Sequence, residues 1–175
     1  FGGKYGQLPA VTVTEGNTTL FVGGKVDRVD GWIKNGRLYL RVVDYKTGRK
    51  KFDLSDVWYG MGLQMLLYLF TLQKNGKAIY GREIVPAGVL YVPARDVMLS
   101  APADPTDEET DKLRSDALRR SGLVLDSQEV LNAMEHGDAP RYLPVKFRNG
   151  VPSGDALATA EGFGQPVRQV FEPFF

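Results

Sequence analysis

The sequence predicts an α/β fold, bordering on α+β, in which strands and helices alternate around one sheet. Two runs of alternating polarity, at Thr19–Lys34 and Arg37–Lys46, are typical of strands and are joined by Asn35-Gly36. A helical segment follows, and the predominantly apolar Ile84–Val92 indicates a buried strand. The chain has 175 residues, 43% of them hydrophobic, which suffices for one core. We therefore expect a single domain over residues 1–175.

The first half of the chain contains the clearest elements. Both positions of Asn35-Gly36 tolerate the positive φ of a type I′ turn, so this dipeptide predicts a tight hairpin. A weak strand is expected before it, at Val11–Thr14. Asp53 or Ser55 can cap a helix that runs to about Lys74, where Asn75-Gly76 ends it.

The second half predicts shorter elements. The acidic segment Thr106–Asp111 is typical of a solvated helix start, and the helix should continue to about Arg120. Ser127–His136 predicts a short helix with Ser127 as its cap. Arg141–Phe147 is expected to form the final strand, followed by a turn at Asn149-Gly150.

The composition excludes several classes of site. There is no cysteine, which rules out disulfides and thiolate sites, and His136 is the single histidine, which disfavours zinc sites and Ser-His-Asp triads. A net charge of +1 means that any DNA contact must come from a local basic patch. The longest apolar run, Val57–Leu72, is interrupted and too short to span a membrane. The terminal Phe1 and Phe175 predict a piece cut from a longer protein.

The hairpin register brings two carboxylates together. With Asn35-Gly36 as a two-residue turn, Asp27 lies opposite Asp44, and Lys46 shares their face because side chains alternate along a strand. Asp30 falls on the other face, across from Arg41, as an ordinary ion pair. The register therefore selects Asp27 over Asp30 as the partner of Asp44.

Two opposed carboxylates repel each other unless one is protonated or a divalent cation lies between them. Oxygen ligands favour Mg²⁺ or Mn²⁺ over zinc or copper. With Lys46 beside the pair, the expected chemistry is phosphodiester cleavage, in which the lysine orients water or offsets transition-state charge. A purely structural role for these residues stays open here, since Asp-Tyr-Lys is a common tripeptide in strands.

Three segments, taken in order, carry a family resemblance: Gly24-Lys-Val-Asp27-Arg-Val-Asp30, Val43-Asp44-Tyr-Lys46-Thr-Gly48 and Gln64-Met-Leu-Leu-Tyr68. They resemble the RecB-like branch of the PD-(D/E)XK nucleases, which implies a restriction-endonuclease-like core with a central mixed sheet flanked by helices. The resemblance implies metal binding by Asp27 and Asp44 and a catalytic Lys46. It also implies that Gln64 and Tyr68 contact DNA or the metal-bound water.

Segments further along resemble the C-terminal nuclease domain of AddB, the helicase-like second component of bacterial AddAB helicase–nucleases: Ala87–Val92, Gly122–Asp126 and Tyr142–Phe147. This resemblance implies Mg²⁺-dependent exonuclease cleavage of single-stranded DNA in double-strand-break repair, an AddA-like partner protein and a bacterial cytoplasmic location. AddB nuclease domains commonly hold an iron–sulfur cluster. In this cysteine-free chain such a cluster is expected only in flanking parts of a parent protein, or not at all.

The resemblance has one gap. The family usually has a histidine or acidic residue on a helix upstream of the hairpin, and here only Glu15 is a weak candidate for it. For DNA binding we single out the basic run Arg49, Lys50 and Lys51, with a merely solvated loop as the alternative. Trp58 and Tyr59 are interpreted as core rather than as base-stacking residues. Two other functions stay open: a non-catalytic DNA-binding or assembly module, and a stand-alone RecB-like exonuclease.

Overall fold

A five-stranded mixed sheet with helices on both sides forms the centre of the computed structural model, which describes residues 2–3, 8–48, 51–59, 61–101, 103–137 and 140–163. The strands are β1 (Val11–Glu15), β2 (Thr18–Val22), β3 (Arg28–Lys34), β4 (Arg37–Lys46), β5 (Ile84–Pro93), β6 (Ser121–Leu125), β7 (Lys146–Arg148), β8 (Val151–Ser153) and β9 (Leu157–Ala158). The helices are α1 (Leu54–Trp58), α2 (Gln64–Asn75), α3 (Lys77–Tyr80), α4 (Asp107–Ala117) and α5 (Gln128–Met134). The predicted α/β class is confirmed.

The central hairpin has the predicted register. Lys34 pairs with Arg37, and the connecting Asn35 and Gly36 have φ values of 50° and 78°. The predicted strand Thr19–Lys34 is wrong as one piece, because it is divided into β2 and β3. The first part pairs with β1 as a separate hairpin, in agreement with the strand predicted at Val11–Thr14. The consecutive glycines at 23 and 24 have no side chains to pack, which favours the break between β2 and β3.

The predicted helix after the hairpin is interrupted. Asp53 caps α1 as expected by accepting a 2.8 Å hydrogen bond from the Ser55 N–H. The chain then leaves the helix, and Gly62 adopts a φ of 69°, a conformation that an α-helix cannot contain. Helix α2 ends at Asn75, as predicted, and Gly76 leads directly into α3.

The sheet has the order β3-β4-β5-β6-β9 and two packed faces. Strand β5 confirms the strand predicted at Ile84–Val92, and it runs parallel to β4 because α1 and α2 provide the crossover. Helix α2 packs on β4 and β5 to form the larger core. On the other side, Leu131 of α5 packs with Leu143 and Val145 against Leu90 and Val124. In the part of the chain that the structure describes, no helix is long and apolar enough to span a membrane.

The C-terminal third departs most from prediction. The helices at α4 and α5 form, although Ser127 makes no capping hydrogen bond through its side chain. The strand predicted at Arg141–Phe147 is wrong: only Lys146–Arg148 is a strand, and β8 and β9 follow it after the predicted turn. Before β7, side chains rather than a neighbouring strand satisfy the backbone hydrogen-bonding groups. The Glu135 carboxylate accepts from three successive backbone N–H groups at 141–143, so these groups are satisfied without strand pairing.

Candidate active site

Asp44 and Lys46 lie at the C-terminal end of β4. They occupy alternate positions of the strand and therefore point to the same face. The Lys46 Nζ atom lies 2.6 Å from Asp44 Oδ2, and the two side chains are 34% and 13% exposed, respectively. The pair is thus a close, partly buried ion pair that is open to solvent on the lysine side.

Asp27 lies one residue before the start of β3. The hairpin ladder ends at the pairing of Arg28 with Val43, so Asp27 is the next residue in register opposite Asp44. Its Oδ2 atom accepts a 3.2 Å hydrogen bond from the Tyr45 N–H. The structure therefore places Asp27 beside the backbone of β4 between Asp44 and Lys46, although in an exposed bend rather than in a paired strand.

The electrostatics of the site favour a protonated lysine. The hydrogen bond to Asp44 raises the pKa of Lys46 above its ordinary value, burial opposes this, and the charges of Asp44, Tyr91 and Asp27 raise it further. Burial raises the pKa of Tyr91, and the negative charge of Asp44 adds to the effect. Lys46 is therefore an ammonium group that can donate hydrogen bonds and offset negative charge.

Tyr91 is a site residue that sequence reasoning missed. It pairs with Asp44 across the parallel β4–β5 ladder, and its ring centroid lies 5.5 Å from Lys46 Nζ. The ring of Phe52 lies beside it at 6.3 Å between centroids. The β4–β5 register includes an irregularity between Leu40 and Arg41. Since a crossover sets that register, the local sequence carries no signal for this pairing.

Gln64 and Tyr68 are neighbours at the start of α2, as their spacing predicts. The Gln64 Nε2–H donates a 2.7 Å hydrogen bond to the Tyr68 hydroxyl. Gln64 is exposed, whereas Tyr68 is 7% exposed and belongs to the same core cluster as Tyr91. The glutamine is therefore the member of the pair that faces solvent.

Asp30 lies on the opposite face, as the register predicted. Its carboxylate accepts from Arg41 Nε at 2.8 Å and from Arg28 Nε at 2.6 Å. Burial alone would raise the pKa of Asp30, but the hydrogen bonds and charges of Arg28 and Arg41 lower it. Trp32 and Tyr39 form the next cross-strand pair on this face, with their ring centroids 5.4 Å apart. Asp30 therefore belongs to a structural ion-pair cluster.

The predicted DNA contacts are only partly visible. Arg49 and Lys50 lie outside the described residues, as do the side chains of Trp58 and Glu15, while Lys51 is exposed. The interpretation of Tyr59 as core is wrong. It is 82% exposed because α1 ends at residue 58 and the chain turns before α2, so its side chain faces solvent.

The donor set at this end of the sheet fits a hard divalent cation. Asp27 and Asp44 offer carboxylate oxygens, and Mg²⁺ is commonly bound through one or two carboxylates while it keeps several waters. Among the described residues there is no group of three or more His, Cys, Asp or Glu side chains arranged to hold a metal. A cation held by these two carboxylates would take its remaining ligands from water.

The mixed sheet, its flanking helices and the Asp44–Lys46 pair together fit the restriction-endonuclease-like class of fold. The chain belongs to the PD-(D/E)XK nuclease superfamily, whose family model matches residues 4–143.

Curated relatives of this chain are AddB proteins, each a component of an ATP-dependent helicase/deoxyribonuclease. The AddB protein of Clostridium perfringens (strain ATCC 13124) is 34% identical over 151 residues, which cover 83% of this chain and 13% of that protein. The AddB protein of Lysinibacillus sphaericus is 35% identical over 86% of this chain and 14% of its own length. That of Clostridium acetobutylicum is 34% identical over 94% and 15%, respectively. The chain thus spans 13–15% of the length of these relatives.

Proposed function

We propose that residues 1–175 form one nuclease domain that hydrolyses phosphodiester bonds of single-stranded DNA with a divalent cation, Mg²⁺ or Mn²⁺. The observation that carries the proposal is the ion pair of Asp44 and Lys46 beside Asp27 at one end of the sheet. Membership of the nuclease superfamily supports it. The names of the relatives favour a deoxyribonuclease role within an ATP-dependent helicase–nuclease. The proposal extends to exonuclease action in double-strand-break repair with an AddA-like protein as partner, as the AddB resemblance implies.

Each residue has a chemical role in this proposal. Asp27 and Asp44 hold the cation, which when bound polarises a phosphoryl oxygen and makes water more acidic. The Lys46 ammonium group, which the neighbouring carboxylates keep protonated, positions the attacking water and offsets charge on the transition state.

The remaining residues serve the substrate. Gln64, exposed at the start of α2 and held by Tyr68, presents its amide to the DNA or to the bound water. Arg49, Lys50 and Lys51 follow the active-site strand in sequence and contact the phosphates that flank the cleaved bond.

Removing the ion pair tests the proposal. Asp44→Ala and Lys46→Ala are each expected to lower Mg²⁺-dependent cleavage of single-stranded DNA by at least about 100-fold, because each removes a charge that stabilises the reaction. Cleavage is measured with end-labelled oligonucleotides, alongside thermal melting to show that the fold persists.

Glu83→Ala and Lys77→Ala serve as matched controls, since both residues are exposed and precede β5, at the end of the sheet opposite Asp44. They should cleave like the wild type. Undiminished cation-dependent cleavage by both active-site variants would overturn the assignment. DNA binding without any cleavage by the wild type would favour a non-catalytic binding module instead.

A further inference from the structure

A basic cleft opens beside the candidate active site, between the start of α1 and the β7–β8 hairpin. It has a volume of about 950 Å³. It is lined by residues 52–55, by residues 119–122, which we call its floor, and by the β7–β8 hairpin with residues 144 and 153–156. Neither the RecB-like motifs nor the basic run at 49–51 accounts for it.

The cleft is continuous with the active site along the end of the sheet. Ser121, on the cleft floor, pairs with Tyr91, which in turn pairs with Asp44. Neighbouring strands are about 4.8 Å apart, so the floor lies roughly 10 Å from Asp44. Phe52 bridges the two places, because its backbone N–H donates to Ser121 Oγ at 2.9 Å and its ring packs beside Tyr91.

Positive charge dominates the lining. The cations are Arg119, Arg120, Lys146 and Arg148, and the carboxylates are those of Asp53 and Asp155. One of the two carboxylates is engaged, since Asp53 caps α1. Among the described residues, none of the four cations forms an ion pair with a carboxylate. The cleft therefore has a local excess of positive charge, although the chain is nearly neutral.

The two arginines of the floor have different surroundings. Arg119 donates to the carbonyl oxygens of Leu143 at 3.1 Å and Val145 at 2.8 Å, and these neutral acceptors leave its charge uncompensated. Arg120 is partly buried; burial, followed by the charge of Arg41, lowers its pKa, whereas the charges of Glu135 and Asp30 oppose this. An anion in the cleft would compensate the charge of Arg119.

The other two cations project from β7. Lys146 and Arg148 are exposed and lie on the same side of the strand, two residues apart. Phe147 between them packs against the smaller core cluster, which fixes the orientation of the hairpin. Together with Arg119 they contribute positive charge to the lining of the cleft.

We propose that this cleft binds the phosphodiester backbone of single-stranded DNA as it continues away from the bond positioned at Asp44. Proteins that bind single strands combine a positively charged groove, which contacts phosphates, with aromatic side chains, on which bases stack. The cations of this cleft and the adjoining Phe52 provide both features. Large apolar side chains are few in the lining, which disfavours a protein partner. The inference rests on the proposed nuclease function for the identity of the strand.

Salt-dependent binding tests the cleft. The double variant K146A/R148A is expected to bind oligo-dT about 25-fold more weakly than the wild type at about 0.1 M salt. The slope of log affinity against log salt should be about 1.4 smaller, since each lost phosphate contact on a single strand removes about 0.7. Fluorescence anisotropy at several salt concentrations measures both quantities. The single variants K146Q and R148Q should each lower the slope by about 0.7. They provide the same test if the double variant is unstable.

The matched control is K77A/R82A, which removes the same charge near the start of β5, at the opposite end of the sheet. Its slope should equal that of the wild type. Equal losses in both double variants would show a general charge effect and overturn the cleft. An equal loss for a blunt DNA duplex would overturn its preference for a single strand.

The proposal for the cleft and the proposal of nuclease function can be refuted separately. In an Asp44→Ala background, which loses cleavage, K146A/R148A should still lower the salt slope by about 1.4 relative to Asp44→Ala alone. If the wild type does not cleave but Lys146 and Arg148 still determine the slope, the cleft stands and the nuclease proposal falls. If cleavage depends on Asp44 but the slopes of wild type and K146A/R148A agree, the cleft falls alone.

Discussion

Lys46 is constrained from more than one direction. The Asp44 carboxylate holds its ammonium group at 2.6 Å, and the ring of Tyr91 lies 5.5 Å away. The carboxylate keeps the lysine protonated, whereas the ring restricts the position of its ammonium group. A cation over an aromatic ring gains about 0.5–2 kcal/mol, depending on how far it is desolvated. Tyr91 thus acts on the site through Lys46 as a positioning residue.

Replacing Tyr91 separates its ring from its hydroxyl group. Tyr91→Phe keeps the ring and should retain cleavage within about threefold. Tyr91→Leu loses the ring under Lys46, and cleavage should fall by up to about 30-fold, corresponding to about 2 kcal/mol. Single-turnover rates, measured well below each melting temperature, check this. Equal losses in both variants would assign the effect to the hydroxyl group, and no loss in either would contradict the positioning role.

The sequence distinguished the site residues as far as local geometry allows. A two-residue turn fixes the hairpin register, and the register separates Asp27 from Asp30; the Asp30–Arg41 ion pair confirms that arrangement. Tyr91 was beyond this reasoning because its neighbour Asp44 belongs to a strand reached only through a crossover. The roles of Asp27, Asp44 and Lys46 remain predictions until variants are measured.

At the scale of elements, β5 and β6 approach each other closely at Gly122. A methyl group built on Gly122 would lie 1.9 Å from the Val89 carbonyl oxygen, and the residue has a φ of 152°. The close approach matters because β6 carries Ser121, which joins the sheet to Phe52 and to the floor of the cleft. The glycine therefore supports both the sheet and the surface beside the site.

Gly122→Ala should destabilise the protein by roughly 3 kcal/mol, because the backbone of β5 or β6 must move to admit the side chain. For a domain of this size the melting temperature should fall by about 6–12 °C. Gly48→Ala is the control, since its added methyl group meets nothing within 4 Å, and it should be close to neutral. Equal melting temperatures for the two variants would show that the close approach at Gly122 relaxes at little cost.

Elements were predictable where the determinants are local, and less so elsewhere. The Asn35-Gly36 turn, the Asp53 cap and the capping box of Thr106 with Glu109 all form from residues within a few positions. Residues 141–145 do not form a strand because the side chains of Glu135, just upstream, and of Arg119, 24–26 residues away, satisfy their backbone groups. No periodicity in the sequence reveals such long-range hydrogen bonding.

At the scale of the molecule, one end of the sheet concentrates the polar chemistry. The C-terminal ends of β4 and β5 and the start of β6 bring Asp44, Lys46, Tyr91 and Ser121 to the same edge. The opposite face of the hairpin holds a separate cluster in which Asp30 pairs with two arginines. The two clusters have similar charged groups but different proposed roles, which makes each a control for the other.

Cation-dependent stability distinguishes these clusters. If Asp27 and Asp44 hold the cation, Mg²⁺ or Mn²⁺ at 100 times its dissociation constant should stabilise the wild type by about 2.7 kcal/mol, or roughly 5–11 °C in melting temperature. Asp44→Asn and Asp27→Asn should lose most of this increment. Asp30→Asn should melt lower at every cation concentration, because Arg41 and Arg28 lose their anionic partner, yet it should keep the full increment. An increment that survives in Asp44→Asn, or one that disappears in Asp30→Asn, would place the cation elsewhere.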